Sequence, residues 1–277
     1  MRVAVASGKG GTGKTTVATN LARSVEEPVM LLDCDVEEPN AHLFLNPTIT
    51  ATTPVYKPIP RVDETKCTYC GKCAEVCAYH AIAVVSSVVL VFDKLCHGCG
   101  GCTRLCPESA ISEVSQEIGV VESGRAGQVD FVHGKLTVGE AMAGPVIRAV
   151  KRQINGQPLV IIDAPPGTAC PVVATLIGSD FCLLVTEPTP FGLYDLKLAV
   201  AVARQLGIPC GVVINRADIG DQGAETYCQE EQIPILMRIP EDRRIAEAYS
   251  RGQLLVDVLP EYRAQFRELL QKCHCSI

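Results

Sequence analysis

Short apolar runs punctuate the chain, and amphipathic stretches separate them. Val3–Ala6, Pro28–Leu32, Pro158–Ile162, Phe181–Val185, Cys210–Ile214 and Ile233–Ile239 are rich in Val, Ile and Leu and lack polar alternation. Runs of this kind predict strands buried on both faces, as in a parallel sheet. The stretch opening at Val17–Ala22, then Val138–Arg152, Phe191–Leu206 and Glu261–Cys273 follow helical spacing. In the last of these, Tyr262, Phe266, Leu269, Leu270 and Cys273 share one stripe, which predicts a terminal helix packed on the sheet. Gly119–Ser123 and Gln128–His133 read as two further strands. Strand–helix alternation over most of the length predicts an α/β fold, with a mainly parallel sheet and helices on both faces. Between Thr48 and Pro60 the pattern breaks up around Pro54, Pro58 and Pro60, which predicts an extended linker.

The first apolar run leads into Ser7-Gly8-Lys9-Gly10-Gly11-Thr12-Gly13-Lys14-Thr15-Thr16 and then into the first helix. From Gly8 to Thr15 this is G-x-x-x-x-G-K-[ST]. A glycine-rich turn between strand and helix aims successive N–H groups at one point, and the helix N-terminus adds partial positive charge there. That combination makes a phosphate cradle. Lys14 is placed for the β/γ-phosphates and the Thr15 hydroxyl for Mg²⁺.

Acidic residues follow two of the other buried runs. The second strand ends in Asp33-Cys34-Asp35, and the strand at 158–162 ends in Asp163, followed by Ala164-Pro165-Pro166-Gly167-Thr168. Carboxylates at the carboxyl ends of strands beside a phosphate loop can face Mg²⁺ or an attacking water. The Pro-Pro-Gly turn cannot be helix interior and could follow the γ-phosphate and move on its loss. Asn215-Arg216 ends a later strand, where an amide can read an adenine edge or simply make a turn.

Of the fifteen cysteines, eight fall between Cys67 and Cys106. They form two runs, Cys67, Cys70, Cys73, Cys77 and Cys96, Cys99, Cys102, Cys106, each C-x₂-C-x₂-C-x₃-C, an internal repeat of about 29 residues. Ala81-Ile82 and Ala110-Ile111 follow the two runs at matching offsets. Thiolates at this spacing take three corners of a cubane, and the fourth cysteine of each run reaches the other cluster. Cys67, Cys70, Cys73 and Cys106 are thereby assigned to one [4Fe–4S] cluster, and Cys96, Cys99, Cys102 and Cys77 to a second. A zinc site would need only four ligands in x₂ pairs rather than two tight quartets. The segment resembles a bacterial two-cluster ferredoxin over about fifty residues; Pro107 follows the second run, and Ala78 stands where that family usually has Pro. Cys34, Cys182, Cys210 and Cys228 sit in or near apolar runs and are expected in the core.

Lys9 and Lys14 in one phosphate loop resemble the deviant Walker A motif of the MinD/ParA/Mrp superfamily, which includes the nitrogenase iron protein. Asp35 resembles that superfamily's switch I aspartate, Asp163 with Pro165-Pro166-Gly167 its switch II, and Asn215-Arg216 and Ile239-Pro240-Glu241-Asp242 its base-binding segments. The resemblance covers all but the cysteine-rich insert. It implies a P-loop NTPase of the SIMIBI class, with a first part at 1–60, an inserted ferredoxin domain at 61–112 and a second part at 113–277. It further implies ATP and Mg²⁺ as ligands, with Gly8, Gly10, Gly11, Thr12, Gly13, Lys14, Thr15 and Thr16 around the phosphates and Thr16 on the α-phosphate. Lys9 would cross to the nucleotide of a second subunit, Asp35 would orient the water, Asp163 would reach Mg²⁺ through water, and Asn215, Arg216, Pro240 and Asp242 would frame adenine.

Cys170 lies seven residues after Asp163, where the nitrogenase iron protein uses a cysteine for a cluster shared between subunits. That protein's second cysteine has no counterpart here. Cys170 is left as an interface thiol, a ligand for a transferred metal, or a small space-filling residue. Cys273 and Cys275 flank His274 and could ligate metal, although carrier relatives use C-x-x-C.

Net charge is −6, which argues against a general nucleic-acid binder. With no export signal and no long apolar run, a cytoplasmic protein without membrane contact is expected. These features together point to an ATP hydrolase. It would close as a homodimer through the nucleotide face and couple nucleotide state to electron transfer or metal-cluster handling for a partner protein. An iron–sulfur carrier, and a positioning ATPase with the cysteine-rich part as a docking module, stand as alternatives.

Overall fold

The computed structural model describes residues 1–276. In chain order the elements are β1 (Arg2–Ala6), α1 (Lys14–Ser24), β2 (Val29–Asp33), α2 (Ala41–Leu45), β3 (Thr48–Val62), α3 (Lys72–Glu75), β4 (Ile82–Val85), β5 (Val88–Val91), α4 (Gly101–Arg104), β6 (Ile111–Ala126) and β7 (Val129–Leu136). They continue as α5 (Ala143–Lys151), β8 (Leu159–Asp163), α6 (Cys170–Leu176), β9 (Phe181–Thr186), α7 (Pro190–Gln205), β10 (Cys210–Asn215), α8 (Gly223–Glu230), β11 (Ile235–Ile239), α9 (Arg243–Ser250), α10 (Leu255–Val258) and α11 (Glu261–Cys275).

The described residues form a nine-stranded sheet in the order β11-β10-β9-β1-β8-β2-β7-β6-β3. From β11 to β7 every pairing is parallel, and β6 and β3 complete that edge antiparallel. β2, β8 and β9 are buried at every position, which is why they carry no polar alternation. One face of the sheet is covered by α1, α2, α10 and α11, packed through Val17, Leu21, Phe44, Leu255, Phe266 and Leu269. The other is covered by α5, α6, α7 and α8, through Val146, Ile147, Val172, Leu196, Val200 and Ala224. No helix among the described residues is long and apolar enough to cross a membrane.

Two expectations need correction. Residues 48–60 are not a linker. They belong to β3, a fifteen-residue strand paired with β6 from Thr48↔Arg125 to Val62↔Ile111. Its prolines are tolerated because β3 is the sheet's edge, where a missing N–H need not break a ladder bond. The helix expected from Val138 begins only at Ala143. Gly139 takes a left-handed φ of 82°, which interrupts any helix there, and Val138 stands fully in solvent.

Beyond Val62 the chain leaves the sheet, and it returns at Ile111. Residues 63–110 make a small lobe of α3, the β4–β5 hairpin and α4, with a minor core of Ile59, Ala81 and Cys96. The sequence repeat has a backbone counterpart. Left-handed φ values fall at Tyr69 and Gly98, at Gly71 and Gly100, and at His80 and Ser109, each pair about 29 residues apart. The body and the lobe meet across a short span of the β3–β6 ribbon. Val55 packs in the body's core, Ile59 in the lobe's, and the register shifts between Val55 and Tyr56. Between them, Lys57 is buried and its Nζ donates to Glu140 Oε1 at 2.6 Å.

Candidate functional site

The carboxyl ends of β1, β8 and β2 bring the candidate phosphate residues together. Gly167 N–H donates to Ser7 O at 3.0 Å, Ala164 N–H to Val5 O at 2.9 Å, and Cys34 N–H to Asp163 O at 2.9 Å, so three loops are tied to one another. Gly8 lies against α7: a Cβ there would sit 2.2 Å from Asp195 O, so no larger residue fits. Gly13 precedes α1 with φ 95°, and its missing Cβ leaves room for the Asn215 amide, whose Nδ2 donates to Thr12 O at 3.0 Å. In the first turn of α1, the N–H groups of Lys14, Thr15 and Thr16 have no helical acceptor and open onto the loop.

Lys14 is buried at the base of this loop, and Asp163 is buried beside it. Neither Asp163 oxygen has a hydrogen-bond partner. Burial pushes its carboxyl up to about 6, and Lys14 and the nearby Thr15 hydroxyl offset only part of that. Two orphaned carboxylate oxygens next to a threonine hydroxyl suit a hard, oxygen-seeking cation such as Mg²⁺. Asp35, half-buried, is also raised by burial and lowered by Lys14.

Asp33 has a different task. It is buried opposite Asp163 in the β2–β8 register, and burial followed by the Asp163 charge raises its carboxyl well above the usual range. Its oxygens accept from Asp35 N–H at 3.1 Å, Asn40 N–H at 3.1 Å and Ala41 N–H at 3.0 Å. Asp33 thus shapes the loop that presents Asp35.

These shifts have a sign. A carboxyl raised in the folded state binds its proton more tightly there than in the unfolded chain. Stability from this source is full below about pH 4 and is lost as pH rises through about 6. The Asp163→Asn variant, without nucleotide, is therefore expected to be more stable than the wild type at pH 8, by on the order of 2–3 kcal/mol, and to melt higher, with the gap closing toward pH 4. Paired thermal melts across pH 4–8 check this. An equal or lower melting temperature at pH 8 would contradict it.

On the base side, Arg216 takes a left-handed φ of 54° and its N–H donates to Asn215 Oδ1 at 3.1 Å. Ala217 N–H donates to Ile239 O at 2.9 Å, which brings Asn215-Arg216 beside Pro240. Asp242 caps α9: Oδ1 accepts from Arg244 N–H at 2.8 Å, and the Arg244 guanidinium holds its carboxyl below the usual range. Lys9 is not extended away from its own subunit. Its ammonium lies 3.4 Å from Glu187 Oε2. Glu187 escaped the sequence reading because a lone Glu between a buried strand and a Pro carries no motif. His133 escaped it too: buried in β7 opposite Asp33, it bonds Glu122 at 2.7 Å through contacts that join only across strands.

The lobe places its eight thiols around two clefts. One is lined by Cys67, Cys70, Cys73 and Cys106. The other is lined by Cys77, Cys96, Cys99 and Cys102. Each cleft takes three thiols from one run and one from the other. Backbone N–H groups point at sulfur in matched pairs: Tyr69 to Cys67 and Gly98 to Cys96, both at 3.4 Å, and Ala81 to Cys77 and Ala110 to Cys106, both at 3.3 Å. Among the described residues, no three His, Cys, Asp or Glu side chains converge on a point fit for a single metal ion.

The remaining thiols are scattered. Cys34, Cys182 and Cys228 are buried in the core, and Cys210 is half-buried. Cys170 is exposed at the start of α6. Cys273 and Cys275 are not brought together, which corrects their pairing as a metal site. Positions i and i+2 of a helix point apart, so Cys273 is buried in the sheet-facing core, where burial pushes its thiol up to about 12, and Cys275 is exposed.

Comparison with known proteins places the chain. A protein of Methanocaldococcus jannaschii described as uncharacterized is 34% identical over 91% of this chain and 90% of its own length. An iron-sulfur cluster carrier protein of Pyrococcus horikoshii is 29% identical over 47% of this chain and 51% of its own length. Among solved structures, the septum site-determining protein MinD of Pyrococcus horikoshii, complexed with Mg-ADP, superposes with a TM-score of 0.61 at 20% identity, covering 98% of this chain and 94% of that one. The sequence profile of the CobQ/CobB/MinD/ParA nucleotide binding domain matches residues 3–256. With its phosphate loop between β1 and α1 on a mainly parallel sheet, the chain belongs to the CobQ/CobB/MinD/ParA nucleotide-binding domain family.

Proposed function

We propose that this chain is a Mg²⁺-dependent ATP hydrolase carrying two [4Fe–4S] clusters in an inserted ferredoxin domain at 61–112. Nucleotide state would gate electron delivery or metal-cluster handling for a partner protein. One observation carries the cluster half of this reading. Each cleft is walled by four cysteines in a three-plus-one exchange between the two runs, with N–H groups aimed at sulfur at matching offsets. Hydrogen bonds to sulfur stabilise thiolate and tune cluster potential. A cubane spaces its thiolates around a volume, which suits thiols that line a cleft without converging on a point.

In the nucleotide half, the Gly8–Thr16 turn would bind the phosphates and Lys14 would neutralise charge that builds on them in the transition state. Thr15 and Asp163 would hold Mg²⁺, which would offset negative charge on the phosphates. Asp35, raised by burial, is better suited to accept a proton from the attacking water than an ordinary exposed carboxylate. Asn215, Arg216, Pro240 and Asp242 would frame the base. Lys9, part of a deviant Walker A loop, would serve the nucleotide of a second copy of the chain in a face-to-face homodimer.

A second reading, an iron–sulfur carrier, draws support from relatives named as cluster carrier proteins. Both readings meet in one experiment. The protein is purified anaerobically, its clusters are reduced with dithionite, and oxidation by an acceptor dye and iron transfer to an apo-ferredoxin are followed with ATP and with ADP. Gating predicts an oxidation rate that differs between the nucleotides while iron stays bound. Equal rates with iron passing to the acceptor would favour the carrier and overturn gating.

A further inference from the structure

Lys9 is held by its own chain, and the residue that holds it also reaches the base side of the site. Glu187 lies between Thr186, at the end of β9, and Pro188; its side chain is 12% exposed. Its backbone is fixed by a tight turn. Thr189 N–H donates to Glu187 O at 2.8 Å, and the chain passes so close at Gly192 that a Cβ there would lie 2.2 Å from Glu187 O. From this anchored position the two carboxylate oxygens part. Oε2 faces Lys9 Nζ at 3.4 Å, and Oε1 faces the Arg216 guanidinium at 3.3 Å. Arg216 also meets Glu241 Oε2 at 3.0 Å, and its neighbour Asn215 holds Thr12 O of the phosphate loop.

These contacts form a chain around the mouth of the loop: Thr12, Asn215, Arg216, Glu187, Lys9. Lys9 is one-third exposed and makes its ion pair with Glu187, so its position follows from Glu187.

We infer that Glu187 is a positioning residue that holds Lys9 on its own subunit and must give it up before Lys9 can reach a phosphate. The inference rests on the reading above, in which Lys9 serves a nucleotide bound to a second copy. Because one carboxylate holds both Lys9 and Arg216, whatever draws Arg216 toward a bound base loosens the hold on Lys9. Filling the base side and freeing the lysine become one event. An ADP-bound subunit would share the base contact but offer no γ-phosphate to recapture the lysine, so release alone would not close the dimer.

The pair is partly exposed, so its strength lies in the range of ordinary surface ion pairs. Its loss should shift an equilibrium by a small factor without unfolding the protein. The test uses the full-length chain with its clusters, purified anaerobically, and measures by sedimentation the ATP concentration that half-saturates self-association. In Glu187→Gln this midpoint is expected to fall roughly two- to fivefold, with the nucleotide-free melting temperature held within about 2 °C of the wild type. The gap should narrow when salt is raised from about 0.1 to 1 M, since screening weakens the ion pair in the wild type. A midpoint that stays or rises in Glu187→Gln, or a gap indifferent to salt, overturns the inference. Lys9→Ala is run alongside to separate the two levels. If it self-associates like the wild type, the reading of Lys9 beneath the inference fails as well. If it fails to associate while Glu187→Gln is unchanged, only the hold by Glu187 is refuted.

Discussion

Lys14→Ala is expected to slow ATP turnover by on the order of 10²–10³-fold, the usual consequence of removing one preorganised charge from a transition state. Two effects act together. Lys14 is buried at the base of the loop, so its charge is weakly screened where negative charge accumulates on the phosphates. It is also the main group lowering both Asp163 and Asp35, which burial raises. Without it, both carboxyls lose the charge that lowers them and move further up. In the proposed mechanism, the variant thereby loses a phosphate contact and weakens the proposed Mg²⁺ ligand, Asp163, and the proposed base, Asp35, in one step. Lys14→Arg should rescue little, because a planar guanidinium does not fit a buried space shaped for an ammonium. The measurement is phosphate release at pH 7 and pH 8. If part of the defect is protonation of the acids, the variant's deficit will shrink at the higher pH. Turnover within fivefold of the wild type would remove Lys14 from the proposed chemistry.

The second large effect concerns thiols far apart in sequence that the proposal assigns to one cluster. Cys67→Ala and Cys106→Ala are expected to lose the same cluster, because both thiols line one cleft. Cys96→Ala and Cys77→Ala are expected to lose the other. Each variant should fall from about eight irons per chain to about four. The two classes should differ in the spectrum of what is left, since the clefts differ in lining. Val84, Val89 and Pro107 border the first, while Tyr79 and His97, stacked at 3.6 Å, border the second. Iron analysis with low-temperature EPR of the dithionite-reduced variants separates the outcomes. If Cys106→Ala matched Cys96→Ala, each run would hold its own cluster and the exchange would be refuted.

Much of the nucleotide half was legible from local pattern. The phosphate loop is contiguous, and its neighbours are strands buried on both faces, which a sequence shows as unbroken apolar runs. The two cysteine runs were legible as a repeat for the same reason, and their spacing reappears in the lobe as left-handed residues about 29 apart. What stayed hidden depends on pairing between distant segments. Pro54, Pro58 and Pro60 look like a linker until β3 is known to be an edge strand. Asp33 and Asp35 look equivalent until three backbone N–H groups are seen to converge on Asp33. Cys273 looks like half of a metal pair until the helix turns it into the core. Glu187 has no local signature, and its meaning comes from Lys9 and Arg216, which meet it only in the folded chain.

The β3–β6 ribbon limits how the lobe can move. Both of its strands enter the lobe, and they are paired to the last residue before it, Val62 against Ile111. A lobe hung on one strand could swivel, and one on two loose loops could drift. Here sliding would break the whole ladder and turn each side chain to the opposite face, so translation along the ribbon is closed. The register shift at Val55/Tyr56 interrupts the ladder between the two cores, and a bulge is where a paired ribbon bends most readily. The buried Lys57–Glu140 pair sits next to it and resists opening. The ribbon is therefore built to bend at this bulge rather than to slide, which leaves tilt as the freedom between lobe and sheet.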